Sequence, residues 1–487
     1  MAIIPMPLPE DIRLSERRDI SRVMSSALLD RYRCPEEFLQ FELVGRLSAD
    51  SGYFRFGPAA ICYGRTSTGY RSSDADALLY RALPDLKTKD STVLLPFNPT
   101  EVIDNLRFER YAKHSKASER SWRIKLLRDT YYRLRPVMGL DVRRHLQRLN
   151  ASGWQRAVFP SWPVDSSVEH LSEALLLATM KARKVDRMPF VWFWPKGAES
   201  CVVMTHDVEG QKGYDFCRDL MDIDDAHDVK SSFQFVPEGA YKISAALIEE
   251  IRGRGFEVNI QDLNHDGYLL ADRGEFLRRV QKINHYGRIY GARGFRAAVL
   301  YRNLNWYDSL DFAYDMSVPN VAHLDPQRGG CCTVMPYFVD DLLEMPLTTT
   351  QDYALFHLLG DYSLGLWKSQ VESIRAKHGL VMFLAHPDYI FDHDAMIIYR
   401  ALLAWLRELA AVEPIWFALP SEVNQWWRAR SKMHVVNYGG EWRIEGPEAE
   451  RATLAFAKVS GDHIEYEFGC KIPVVGGRGS CSTGVAS

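Results

Sequence analysis

From about residue 195 to 432, apolar runs of four to eight residues alternate with longer amphipathic stretches. Ser231–Val236 and Phe256–Ile260 have the length and composition of strands, as do Gly294–Ala298, Tyr314–Val318, Leu380–Ala385 and Ile415–Ala418. Ala240–Arg254, Arg273–His285, Ser363–His378, Asp394–Ala411 and Pro420–Lys432 carry helical spacing between or after them. Repeated strand–helix units leave a parallel sheet covered by helices as the economical solution, either open or closed into a barrel. In such sheets, sites are built at the carboxyl ends of the strands.

Polar residues collect at those ends. The apolar run Val202–Met204 leads into Thr205-His206-Asp207-Val208-Glu209. If the backbone stays extended, Asp207 and Glu209 share one face, with His206 and Val208 on the other. Two carboxylates on one side suit a divalent cation, or a base beside a metal ligand. They also suit the capping of the next helix, and both uses are open at this point. Phe256–Ile260 runs into Gln261-Asp262-Leu263-Asn264-His265, the strand Gly294–Ala298 is flanked by Arg293 and contains Arg296, and Leu380–Leu384 runs into Ala385-His386. The convergence of these ends on one face is the functional signal.

The order and spacing resemble the polysaccharide deacetylase family, the NodB-homology carbohydrate esterases, over about residues 195–430. That resemblance implies a distorted (β/α) barrel with a divalent metal, zinc first, with manganese, magnesium or an empty site as the other options. THDVE at 205–209 is similar to the family's first motif, which makes Asp207 the general base and Glu209 a metal ligand. QDLNH at 261–265 is similar to the motif with two histidines four apart, giving His265 and, in the place of the first histidine, Gln261. RGFRAA at 293–298 resembles the arginine motif that fixes the catalytic aspartate, so Arg293 and Arg296 join the catalytic set. Leu384-Ala385-His386 resembles the motif of the general acid, His386. The stretch from Tyr314 to Ser317 resembles the groove-lining motif, and Asp315, Trp306 and Asp262 are expected against the substrate. Glu209 for Asp and Ala298 for Pro are mild departures, whereas Gln261 for His is severe, because an amide oxygen is a poor zinc donor.

The implied reaction removes acetyl groups from sugars of a cell-surface polysaccharide or its lipid-linked precursor. The alternative is a non-catalytic carbohydrate-binding or scaffold protein on the same fold, with Gln261 as its clue.

The rest of the chain bounds these readings. A length of 487 residues allows three parts: a mainly helical or mixed region at 1–190, the barrel at 191–432, and a small β appendage with a loose tail at 433–487. Asp19–Leu29 and Glu36–Leu47 have helical spacing, and Ser51–Tyr63 alternates like strands and turns. Residues 113–156 hold twelve Lys or Arg against three acids, in a chain whose net charge is -3. Around Trp122–Leu134 an apolar stripe runs through this basic stretch, which suits either a solvated helix or a peripheral contact with anionic membrane. No nucleic-acid-binding module is visible. Eight scattered cysteines without a C-x-x-C pair, together with the lack of a secretion signal or spanning segment, lead to the expectation of a cytoplasmic protein, with the inner membrane face as a second placement. Oligomeric state is not legible.

Overall fold

The computed structural model describes residues 20–69, 71–114 and 153–469. The N-terminal part is richer in strand than its spacing suggests. β1 (Ile20–Met24) and β2 (Gln40–Val44) are followed by the hairpin β3 (Gly52–Phe56) and β4 (Ala60–Gly64), then by β5 (Lys87–Lys89) and β6 (Thr92–Leu95). β1, β2, β6 and β5 form one sheet in that order. Glu36–Leu47 is therefore not a helix: one 3-10 turn at Glu36–Leu39 leads directly into β2. Phe41 and Leu43 alternate into the core there, so the pairing with β1 and β6 overrides the helical spacing. Helices α1 (Ser26–Tyr32), α2 (Pro99–Arg107) and α3 (Ser167–Arg183) pack on these strands. The basic helix expected around Trp122–Leu134 lies outside the described residues.

After β7 (Arg187–Val191) the chain enters its main sheet. This comprises β8 (Ser200–Val208), β9 (Ser231–Phe235), β10 (Glu257–Gln261), β11 (Gly294–Arg296), β12 (Tyr314–Asp315), β13 (Tyr337–Val339), β14 (Leu342–Glu344), β15 (Leu380–Leu384) and β16 (Ile415–Phe417). The order is β13-β14-β12-β11-β10-β9-β8-β15, with β16 beside the first residues of β8. Every pairing is parallel except β13 with β14. The chain on both sides of the β13–β14 pair then reaches the free edge of β15: Thr349 N, beyond β14, donates to Met382 O at 3.3 Å, and Leu380 N donates to the carbonyl of Val334, before β13, at 2.8 Å. The sheet thus curls round on itself as a distorted (β/α) barrel.

All nine residues of β8 are buried, as expected of a strand covered on both faces. Cys201 and Val203 face an interior cluster with Tyr314, Met316 and Met382. Val202, Met204 and Val208 face a second cluster beneath the helices α4 (Gln211–Ala226), α5 (Ala245–Gly253), α7 (Gly365–Arg375) and α9 (His393–Val412), while α6 (Arg273–Ile289) covers β10 and β11. Between α7 and α9 sits the short α8 (Pro387–Ile390), and α10 (Pro420–Arg430) closes the barrel region.

The last strands are β17 (His434–Tyr438) paired with β18 (Glu441–Glu445), then β19 (Leu454–Ser460) and β20 (His463–Phe468). β19 pairs with β20 on one side and with β7 on the other. One hydrophobic cluster consequently runs from Ala27 through the barrel interior to Ala457, across the positions 190 and 433. The six cysteines among the described residues are buried and unpaired. No helix among the described residues is long and apolar enough to cross a membrane.

Candidate active site

β8 runs four residues beyond the last residue of its apolar run, Met204, and carries Asp207 into the mouth of the barrel. Arg296, at the end of β11, meets it there. Its Nη1 donates to Asp207 Oδ1 at 2.8 Å and to Thr205 Oγ1 at 2.9 Å, and its Nε donates to Met316 O at 2.9 Å. Gln261, at the end of β10, donates its Nε2 to Asp207 Oδ2 at 3.0 Å. Arg296 is fully buried and Asp207 is 2% exposed. A charge pair this deep holds only because its remaining polar atoms are also satisfied. His206 points the other way, as strand alternation requires. Its Nδ1 lies 3.0 Å from Ala385 O and its Nε2 3.2 Å from the buried carboxylate of Asp224, behind the sheet.

Across the mouth, His386 stands at the N-cap of α8. Asp352 accepts from its backbone N at 2.7 Å and lies 2.6 Å from its Nδ1. Burial alone would lower the imidazole pKa. The charge and hydrogen bond of Asp352 outweigh it, helped by Glu209 and Asp207, and hold the pKa at about 10. His386 is therefore an imidazolium at neutral pH, oriented by a carboxylate, with Nε2 facing Glu209 Oε1 at 3.6 Å.

Glu209 is the bridge between the two sides. Its Oε1 is 2.8 Å from His265 Nε2 and 3.5 Å from Gln261 Nε2. Asp388 fixes its backbone, accepting from the N–H groups of Glu209 (2.9 Å), Gly210 (3.1 Å) and Gly213 (3.1 Å). A side chain at 213 would put its Cβ 2.1 Å from Asp388 Oδ2, so this clamp demands glycine. Asp262 and His265 both take left-handed backbone angles (φ 50° and 56°), a concentration of local strain typical of functional turns. Tyr389 packs 5.2 Å from His386, with Tyr353 and His357 beyond it, forming an aromatic rim.

The donors do not fit a zinc ion. Among the described residues no three or more His, Cys, Asp or Glu side chains gather in a way that could hold a metal. Glu209 and His265 approach each other, but the third position is Gln261, whose N–H groups face both carboxylates while its buried Oε1 has no partner. An amide turned this way satisfies anions rather than a cation.

Three expected site residues lie elsewhere, and a fourth, Asp262, sits in the turn beside the site but commits its carboxylate to the adjoining backbone. Arg293 is exposed at the amino end of β11, the end away from Asp207. Asp315 points to the opposite side of β12 from the mouth and is fully buried. It accepts from Ser317, and burial followed by the charge of Asp315 pushes the neighbouring Glu344 carboxyl well up. Trp306 packs on Phe276 of α6, 5.6 Å between ring centroids, in the outer layer. Asp262 is 1% exposed and its carboxylate caps Leu263 N. Conversely, Asp352, Asp388 and Tyr389 belong to the site. Asp388 and Tyr389 follow His386 within three residues, a proximity that offered a signal. Asp352 lies 34 positions away, in a segment with no motif.

No protein-family model matches the sequence, and no curated protein matches it. Solved structures do match. A protein of Mycobacterium smegmatis named as a candidate polysaccharide deacetylase is 18% identical, with 49% of this chain and 93% of that one covered at a TM-score of 0.38. The barrel is similar to polysaccharide deacetylases. An allantoinase is 12% identical over 48% of this chain and 92% of its own, at a TM-score of 0.39. The chitin deacetylase of the fungal pathogen Colletotrichum lindemuthianum is 12% identical over 48% and 90%, at a TM-score of 0.30.

Proposed function

We propose that this chain is a deacetylase-type hydrolase that removes acetyl groups from sugars of a polysaccharide or its lipid-linked precursor, with Asp207 as general base and His386 as general acid. The supporting observation is the pairing of two independently oriented groups at one barrel mouth: a carboxylate held by Arg296 and an imidazolium held by Asp352. Asp207 Oδ1 and Oδ2 each accept one hydrogen bond, which leaves a lone pair on each for a water proton. Water attacks the acetyl carbonyl as Asp207 takes that proton. His386 Nε2 gives its proton to the departing sugar nitrogen or oxygen, and acetate leaves. The cationic imidazolium also offsets charge developing on the carbonyl oxygen. Acetate release from acetylated chito- and xylo-oligosaccharides tests this reading. Release by the wild-type chain that disappears in Asp207→Asn supports it, and no release by well-folded protein counts against it.

A second reading, a carbohydrate binder without catalysis, is favoured by Gln261. Its amide satisfies Asp207 and Glu209 where a second imidazole would bring a metal-binding lone pair. That reading expects sugar binding with no acetate release.

A further inference from the structure

The middle residue of Thr205-His206-Asp207 takes no part in the chemistry proposed above, and its surroundings are unusual. His206 faces the apolar layer beneath the helices, with Phe233 at 5.0 Å and Tyr399 at 5.9 Å between ring centroids. It is fully buried, as are Asp224, Ser231 and Tyr399 around it. Asp224 lies 3.2 Å from His206 Nε2 and accepts from Tyr399 Oη at 2.6 Å and from Ser231 Oγ at 2.7 Å. Burying a carboxylate and an imidazole in such a layer is costly, and apolar side chains of similar volume would serve the core at least as well. Packing alone does not account for this network.

The other ring nitrogen does. β8 and β15 pair in parallel as far as Thr205 opposite Leu384, and the last backbone bond runs from Ala385 N to Thr205 O at 3.0 Å. Past that point the Ala385 carbonyl is met by His206 Nδ1, at 3.0 Å. A carbonyl oxygen only accepts, so Nδ1 carries a hydrogen. Asp224 at the far nitrogen holds the ring in the plane that this bond needs.

The Ala385 carbonyl and the His386 N–H belong to one peptide unit. His206 holds its carbonyl end, and Asp352 Oδ2 holds its N–H end at 2.7 Å. A peptide unit is planar, so bonds at its two ends set its tilt. The tilt places the Cα of His386, and Asp352 Oδ1, 2.6 Å from Nδ1, then turns the ring.

We propose that His206 is a positioning residue: backed by Asp224, it fixes the Ala385–His386 peptide plane and through it the direction of the His386 imidazole. Because His206 directly precedes Asp207, one side chain ties the strand of the base to the backbone of the acid. The consequence for catalysis rests on the hydrolase reading above; the geometry does not.

Hydrogen exchange of the His386 amide, followed by NMR in histidine-labelled protein, reads the peptide plane, and acetate release from an acetylated chito-oligosaccharide reads the consequence. His206→Asn keeps an N–H group near the place of Nδ1 and gives up the contact with Asp224. His206→Gln carries its amide further out, to the place of Nε2, and leaves the Ala385 carbonyl unmet. The Gln variant should exchange the His386 amide about tenfold faster, the scale of one hydrogen bond. Its kcat should fall by about 10- to 100-fold with KM little changed, as for a misplaced catalytic group. The Asn variant should stay close to the wild type in both, although it melts at a lower temperature. If the Gln variant does not fold by circular dichroism, His206→Phe, which keeps the ring packing, takes its place. Wild-type exchange in the folded Gln or Phe variant overturns the proposal. So do exchange rates that follow melting temperature across the variants rather than the donor beside Ala385. If the wild-type chain releases no acetate, the hydrolase reading fails, and the exchange rates alone decide the positioning.

Discussion

On one side of the barrel mouth, Asp207 has both oxygens engaged, and the arginine that engages it is itself held by Thr205 and the Met316 carbonyl. On the other side, Glu209 sits among His265, His386 and Gln261 at separations from 2.8 to 3.6 Å, and the Gln261 amide leaves its oxygen unused. The first side is over-determined, and few substitutions would leave it intact. The second holds one carboxylate between two imidazoles, and at the remaining position Gln261 presents its N–H groups rather than a metal donor. Groups that move protons and groups that hold an ion are thus separable within one mouth, and a sequence can keep the former while altering the latter.

The largest expected effect comes from breaking the rigid side. Arg296→Met leaves the Asp207 carboxylate buried without its counter-charge, and should lower unfolding free energy by about 3–5 kcal/mol in a urea titration. Adding Asp207→Asn to that variant should recover part of the loss, because the uncompensated charge is then gone. A loss near zero for Arg296→Met would mean the two sides do not differ in this way.

Next is the acid. Asp352→Asn removes the main influence holding the His386 pKa at about 10, so an NMR titration should find the ring back at or below its ordinary value near 6.5. The sign for stability follows. A pKa raised in the folded state contributes stability that is full below about pH 6.5 and is lost as pH rises through about 10. That loss should be present in the wild type and absent in Asp352→Asn.

Asp207→Asn should cut acetate release by roughly 100-fold or more. Its unfolding free energy should also fall, since Arg296 is then buried without its counter-charge, while an asparagine oxygen still accepts from Arg296 and the Gln261 amide can turn to meet the new N–H group. The smallest effect sharpens the comparison from the loose side: Gln261→His should tighten zinc binding by about tenfold in calorimetry. An unchanged affinity in folded protein would show that position 261 does not govern metal uptake.

The barrel was legible because each strand run was bounded by a helical one, and β8, β9, β10 and β15 lie close to where those runs fall. Asp207, Glu209, His265, Arg296 and His386 meet because strand ends of a parallel sheet must converge. What sequence could not resolve was the facing of very short strands. β12 has two residues, so a motif match placed Asp315 in the groove while the pleat turned it away. β11 has three, which put Arg293 at the opposite end from Arg296. Asp352 was invisible for another reason: its role depends on the closure of the barrel edge rather than on any local pattern.

The pairing of β7 with β19 bears on how the chain is made. β7 leaves the ribosome about 260 residues before its partner. At ~5–20 residues per second, that edge waits on the order of tens of seconds with its hydrogen-bonding groups unmatched. Pro189 lies in the middle of β7, opposite Phe456. Without an N–H group, it blunts the strand as a template for a neighbouring chain during that interval. Replacing it with valine would extend the adhesive edge of the nascent protein, and its signature would be aggregation during synthesis rather than a change in the finished molecule.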